Sequence, residues 1–473
     1  MATRTLDLCL AFILAACGPS VRDSDNDNPS GPCDPGDTMS CYSGQDGTKG
    51  VGPCTGGTRT CSASKTWGEC VGQVVPTTEA CTDGVDNNCN GAVDEDEDKD
   101  GDGVTTCAGD CCDSTECSNP VLVNSGAFDA PGNMVDDDCD GMVDNTQLLC
   151  DQGLSSSPPS AMDYAKAIEL CQTTTPTAKK WGVIEAKLTL ADGNGTPATK
   201  ASSIRPRFGT NVLPKGGVSM AVLSTGAAAG KGDMNPSYEP FQDTPSTSGN
   251  NKSSPFPADF LVANGNRLPN APGCPQPSGN NARDPVMLTL TIRVPTNAKS
   301  FKLDTNFFSS EFPEYTCSAY NDFFVVLLDS TYAGSPANPT DKNLAFYTPP
   351  GGTLKYPVGV NLASGNTGLF TQCRNGTTGC VFGATAGSIN TCTSQNDLIG
   401  TGFDTPDAGT CNNDSLEGGG TGWLQTSGNV NPGEIIKLRI AIWDTSDHVL
   451  DSLALVDAFT WSVDLSQPGT VIY

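Results

Sequence analysis

One nine-residue pattern occurs twice in this chain, fifty residues apart. The copies are Asp86-Asn-Asn88-Cys89-Asn90-Gly91-Ala-Val-Asp94 and Asp136-Asp-Asp138-Cys139-Asp140-Gly141-Met-Val-Asp144. Each sets oxygen-bearing side chains at positions one, three, five and nine, with glycine at six. Alternate side chains of such a loop converge on one point, and the glycine permits the sharp turn, which is the ligand order of a calcium loop. Cysteine at position four then points away from that centre, free for a disulfide. Between the copies, Asp96-Glu97-Asp98-Lys-Asp100-Gly-Asp102-Gly103 meets the same rule in two overlapping registers. Folding of such a segment is expected to be coupled to the cation, because its charge repels itself without one.

An acidic tract that merely keeps a chain soluble is the ordinary alternative. Here the order of the residues, rather than their number, favours a ligand set. The candidate ligands are Asp86, Asn88, Asn90, Asp94 and Glu97 in the first loop, and Asp96, Asp98, Asp100 and Asp102 in the middle array. In the second loop they are Asp136, Asp138, Asp140 and Asp144. Oxygen-only donors point to Ca2+, or more weakly magnesium, and away from zinc or copper. Position twelve is Glu97 in the first loop but Gln147 in the second, so the second should bind more weakly.

The 22 cysteines set the compartment, since such density belongs to oxidised, exported chains. Twelve lie from Cys33 to Cys139 and eight from Cys150 to Cys411, so both sets could be fully paired. Cys9 and Cys17 lie in an N-terminal segment with Arg4 and an apolar run from Leu8 to Ala16, too short for a span and suited to a signal peptide. Leu14-Ala15-Ala16-Cys17 resembles a bacterial lipobox, which implies cleavage before Cys17 and lipid attachment to its sulfur. A polar tether, 17–32, would follow. This reading expects a membrane-anchored lipoprotein at the outer membrane or cell surface of a Gram-negative bacterium. The net charge of −28 excludes nucleic acid as a partner and adsorption to anionic lipid by charge. Much of it is local, because residues 79–144 carry 19 acidic side chains against one lysine, Lys99.

Beyond the signal segment, 1–16, and the tether, residues 33–80 form a Cys/Gly-rich module with few apolar residues, so disulfides must supply its rigidity. The metal-binding repeats occupy 81–145. The remainder, 150–473, opens with a helix over 160–171, where Ser160 and Asp163 have capping-box spacing. Strands are expected at 181–190, 286–294, 300–308, 321–328, 435–443 and 452–463. In the fifth, Ile436, Leu438, Ile440 and Ile442 share one face, with Lys437 and Arg439 on the other. The fold class is mainly β, a sandwich of jelly-roll type behind the disulfide-rich loops. Irregular stretches at 230–284 and 364–422 interrupt it, expected to be pinned by Cys274, Cys373, Cys380, Cys392 and Cys411.

The two loops, with the preceding Cys81-Thr-Asp83-Gly, resemble the MopE-like metal-binding repeat of bacterial surface proteins. The rest is similar to the choice-of-anchor L domain. Phe308-Ser-Ser-Glu311-Phe-Pro-Glu314-Tyr315, Tyr320-Asn321-Asp322-Phe323-Phe324, Gly422-Trp423-Leu-Gln-Thr, the run from Ile436 to Asp447 and Leu450-Asp451-Ser452 carry that likeness. It implies an exported β module with variable anchors and no established activity; Cys317 and the Cys-bearing insertions depart from its pattern.

Glu311, Asp322, Asp444 and Asp451 lie at strand ends within these segments. They suggest a second metal site, a glycosidase-like carboxylate pair, or strand-end carboxylates bonded to backbone. A serine triad would need the single histidine, His448, and no Gly-x-Ser-x-Gly elbow exists. The expected role is a non-enzymatic one, adhesion or contact with an extracellular protein or glycan ligand. A carbohydrate-binding or polysaccharide-degrading head and a self-assembling surface component are the alternatives.

Overall fold

Two antiparallel sheets facing one apolar core organise the chain beyond residue 180. The computed structural model describes residues 33–472, apart from 78, 97, 114–118, 145–148, 242–250, 381–386, 407–410 and 412–415. The signal segment, Cys17, the tether, Glu97 and Gln147 therefore lie outside the described residues.

The strands of the sandwich are β1 Gly182–Thr189, β2 Ser202–Arg205, β3 Met220–Ser224, β4 Ala282–Arg293 and β5 Ser300–Ser309. They continue with β6 Phe323–Asp329, β7 Gly419–Asn429, β8 Ile435–Thr445, β9 Ser452–Ser462 and β10 Gly469–Ile472. One sheet runs β10-β7-β5-β9-β3-β2; the other runs β1-β4-β8-β6, with Ser253–Ser254 added beside β4. All six expected strands are present. The strands β2, β3 and β7 carry less alternation and did not stand out in the sequence.

Period-two alternation builds the core. Ile436, Leu438, Ile440 and Ile442 of β8 face inward, as do Leu288, Leu290 and Ile292 of β4. From the other sheet they meet Phe301, Leu303 and Phe307 of β5 and Ala454 and Val456 of β9. Part of each outer face is also covered. Phe256 and Phe260, the latter on helix α2 (Ala258–Ala263), cover Phe323, Val325 and Trp443. Phe241, Leu398 and Phe403 cover Val222, Phe308, Leu453 and Leu455. The two long irregular stretches thus supply lids over part of each outer face, and β6 lies under one of them. That explains why Phe323-Phe-Val-Val-Leu-Leu328 is a continuous apolar run rather than an alternating one.

The helix expected at 160–171 is only α1, Met162–Lys166. Ser160 accepts from the Met162 N–H at 3.2 Å, so the capping box does not form. The chain leaves the helix so that Ile168 and Leu170 can enter the core; Glu169 takes a φ of +67°, and Cys150–Cys171 ties the ends. Tertiary burial here overrides local propensity.

The chain divides into two compact units between Glu97 and Asp98. In the first, the hairpin Thr38–Cys41/Gly57–Thr60 is stapled by Cys33–Cys61, Cys41–Cys70 and Cys54–Cys89. Its buried apolar residues, among those described, are all half-cystines. Residues 98–144 belong to the second unit, so the Asp-rich region is not one separate segment. Phe128 and Ala130 join the sandwich core, and Phe128 exchanges backbone hydrogen bonds with the Asn297 amide at 3.0 and 2.8 Å. The remaining pairs Cys274–Cys317, Cys373–Cys392 and Cys380–Cys411 complete the pairing of all eight cysteines from Cys150 to Cys411, and they pin the insertions.

Candidate metal centres

The three Asp-rich loops have one backbone design. The first residue accepts a hydrogen bond from the N–H five residues on: Asp86 from Gly91 at 3.0 Å, Asp98 from Gly103 at 2.9 Å and Asp136 from Gly141 at 2.9 Å. The third and fifth residues each accept from the N–H two residues on, as in Asn88 to Asn90 (3.0 Å), Asp100 to Asp102 (3.0 Å) and Asp140 to Met142 (2.8 Å). These are Asx turns strung end to end. Gly91, Gly103 and Gly141 have φ of +97°, +85° and +93°, a conformation that disfavours any side chain there. Of the two registers open to the middle array, the backbone hydrogen bonds follow the one starting at Asp98, and among the described residues Asp96 is not in an acidic cluster.

Carboxylates converge at two of the loops. Asp136, Asp138 and Asp140 bring one oxygen each to within 4.8 Å of the others. Burial, then repulsion from Asp140, pushes Asp138 up to about 6. In the middle loop, Asp100 belongs to two such groups, one with Asp98 and Asp113 and one with Asp102 and Asp110. Asp110 and Asp113 were not singled out in the sequence. Their signal is that they bracket Cys111-Cys112, whose first member is cross-linked to Cys139 in the second loop. In the first loop, the Asn88 and Asn90 amides both donate to Glu95 Oε1, Asn88 at 2.5 Å. Glu95, not singled out in the sequence either, thus meets two of the expected ligands.

Position nine has another occupation. Asp94 accepts from the N–H groups of Asp83 and Gly84 at 3.0–3.1 Å, and Asp144 from those of Gly132, Asn133 and Met134 at 2.8–3.3 Å. Each carboxylate latches its loop to the preceding turn, and Asp144 is not in the Asp136 cluster.

In the sandwich, Glu311 follows β5, Asp322 precedes β6, Asp444 lies near the end of β8 and Asp451 precedes β9. All four are within 3 % of full burial. They form a row in which protons are held more tightly than usual: burial, then Asp322, raises the pKa of Glu311, and burial, then Asp322 and Asp451, raises that of Asp444. Asp322 Oδ2 takes the Ser452 hydroxyl at 2.6 Å, whereas its Oδ1, Glu311 Oε2 and both Asp444 oxygens meet no hydrogen-bond donor; Thr225 approaches Asp444 without reaching that geometry. Such oxygens are costly unless a proton or cation reaches them. Burial this complete leaves no open cleft between these carboxylates, whereas a glycosidase pair flanks a bound sugar. His448 Nδ1 is 2.6 Å from buried Asp284, a structural pairing. Trp181, Trp443 and Trp461 are buried and Trp67 and Trp423 partly so, leaving no open stacking platform among the tryptophans. Among the described residues no helix is long and apolar enough to cross a membrane.

The donor set is oxygen throughout, because the cysteines at the described loops are in disulfides. Hard cations fit such sites. Residues 222–460 match the family model of the choice-of-anchor L domain. Residues 76–95 and 118–145 match the family model of a MopE-type metal-binding motif. No curated protein and no solved structure matches the chain. Both family matches fit a non-enzymatic role at the cell surface.

Proposed function

Because the chain belongs to the choice-of-anchor L domain family, we propose that it is an exported lipoprotein held at the outer surface by Cys17, with calcium ordering its Asp-rich loops and its β domain making non-enzymatic adhesive or ligand contacts. The observation that carries the calcium reading is the repeated loop in which carboxylates are drawn within 4.8 Å of one another despite their repulsion. A divalent ion removes that repulsion. Asp136, Asp138 and Asp140 would hold one ion, and Asp86, Asn88, Asn90 and Glu95 another once the two amides turn their oxygens inward. Copper is disfavoured by the absence of imidazole and thiolate donors from these loops.

The buried row Glu311–Asp322–Asp444–Asp451 is a further cation site in this reading, supported by its orphaned oxygens. For the contact surface, the outer face of the second sheet offers an open polar groove of about 580 Å3. Lys187, Thr289, Asp259 and Arg439 line it, which suits a polar ligand such as a glycan better than an apolar one.

Calorimetric titration of the full oxidised chain tests the calcium reading. Saturable heat with calcium, absent with equimolar copper, is expected. The variant Asp86→Ala/Asp136→Ala should bind at least tenfold more weakly at two sites. An unchanged titration of that variant would remove the loop assignment. Asp444→Asn should lower the calcium-induced rise in the melting temperature of the β domain; an equal rise would remove the buried site.

A further inference from the structure

The middle loop lies outside both stretches that match the metal-binding motif, yet it holds the densest acidic group of the region. Its five carboxylates fall into two triads that share one member. Asp98, Asp100 and Asp113 form one, and Asp100, Asp102 and Asp110 the other, each with oxygens within 4.8 Å.

The backbone occupies one side of these groups and leaves the other. Asp110 Oδ1 accepts from the Cys112 N–H at 2.8 Å, and Asp100 Oδ1 from the Asp102 N–H at 3.0 Å. Asp110 Oδ2 and Asp100 Oδ2 are buried and meet no hydrogen-bond donor. Asp110 is only 3 % exposed, so water does not relieve it. Asp113 is fixed by the Lys99 N–H at 2.6 Å and the Thr106 hydroxyl at 3.1 Å, and Asp102 by the Asn124 amide at 2.5 Å. Orphaned carboxylate oxygens, held rigidly by groups that spend the opposite lone pairs, are the preparation a hard cation requires.

We propose that Asp98, Asp100, Asp102, Asp110 and Asp113 form a two-cation site for calcium-class ions, with Asp100 as the ligand common to both. One divalent ion would leave a charge of about −3 on the five carboxylates and two would leave about −1, so the second ion follows from electroneutrality as well as geometry. The site rests on the reading of these loops as cation-binding, but it adds two ions and two ligands, Asp110 and Asp113, that the repeat does not contain. Because Asp110 and Asp113 flank Cys111, the ions would tie the loop to the disulfide Cys111–Cys139.

The test is calcium content per chain, by elemental analysis after dialysis of the full oxidised protein against calcium. Asp100→Asn should lose two ions, both in the wild type and in an Asp86→Asn/Asp136→Asn background. Loss of one or none overturns the shared ligand. Asp110→Asn and Asp113→Asn should each lose at least one ion; full content in either overturns that residue's assignment. Near-ultraviolet circular dichroism and thiol titration verify the fold. Should Asp100→Asn fail that check, the two milder variants decide. If the wild type binds no calcium at all, the reading of all the loops falls. If it binds calcium but Asp100→Asn retains every ion, only this site falls.

Discussion

At the scale of single residues, the strongest constraints are carboxyl groups kept from water. Glu169 lies beside Asp151 and Asp457, and the backbone of Gly216 and Gly217 packs against it so closely that a side chain at either glycine would collide. Burial, with Asp457 and Asp151 behind it, pushes Glu169 up to about 9, and burial pushes Asp457 up to about 7. Both folded values exceed the unfolded ones. The stability they contribute is therefore complete below about pH 4 and is lost as pH rises through 7 and then 9. With calcium saturating, the melting temperature should fall between pH 5 and pH 9. Glu169→Gln should flatten that fall and melt higher than wild type at pH 9. A variant with the wild-type slope would show that this pair does not set it. None of this was legible in the sequence, because residues 151, 169 and 457 meet only through the fold. The turn geometry at positions one, three and five was legible, because Asx turns and a glycine at six are local rules. The second partner of position nine was not legible for the same reason: its carboxylate answers to the turn before the loop, beyond the repeat itself.

At the scale of elements, that latch gives a direct expectation. Asp144 holds three consecutive N–H groups of the turn at 132–134. Hydrogen bonds to a charged acceptor contribute about 1.5–3 kcal/mol each when well shielded, and less at this partly exposed site. Asp144→Ala should speed hydrogen exchange at Gly132, Asn133 and Met134 at least tenfold, leaving the strands of the sandwich unchanged. Exchange at wild-type rates would mean that the turn closes without its latch. The sandwich elements show a different division. Strands with clean alternation or a long apolar run were readable, since burial on one face or both dictates those patterns. The helix at 160–171 was not, since its cap signal is local while Ile168 and Leu170 are claimed by the core. The irregular stretches read as insertions; their aromatic residues, Phe241, Phe256, Phe260 and Phe403, are what cover part of each outer face.

At the scale of the whole molecule, the two units are stabilised by different physics. The first has cystines in place of a core, whereas the second buries a large apolar interior. Loop closure by these disulfides constrains the unfolded state of the first, by about 3.5 kcal/mol for a single loop of this length. Dithiothreitol in the presence of calcium should abolish exchange protection over 38–60 and preserve it in β4, β8 and β9. Retained protection over 38–60 would mean that hydrogen bonds alone suffice there. The sequence by itself determined the oxidised compartment, the β class, the inward face of β8 and the three Asp-rich turns. Each follows from spacing or pairing rules that act over a few residues, or from a count of cysteines. Only the tertiary structure decided which disulfides form, that residues 98–144 pack with the β domain, and that Asp110 and Asp113 join Asp98, Asp100 and Asp102. The same holds for the buried row Glu311–Asp322–Asp444–Asp451: the sequence marks its members at strand ends, but burial and proximity arise only when β5, β6, β8 and β9 are brought together. Proximity between residues distant in the chain carries no local signature, because it is paid for by the core and not by the residues it joins.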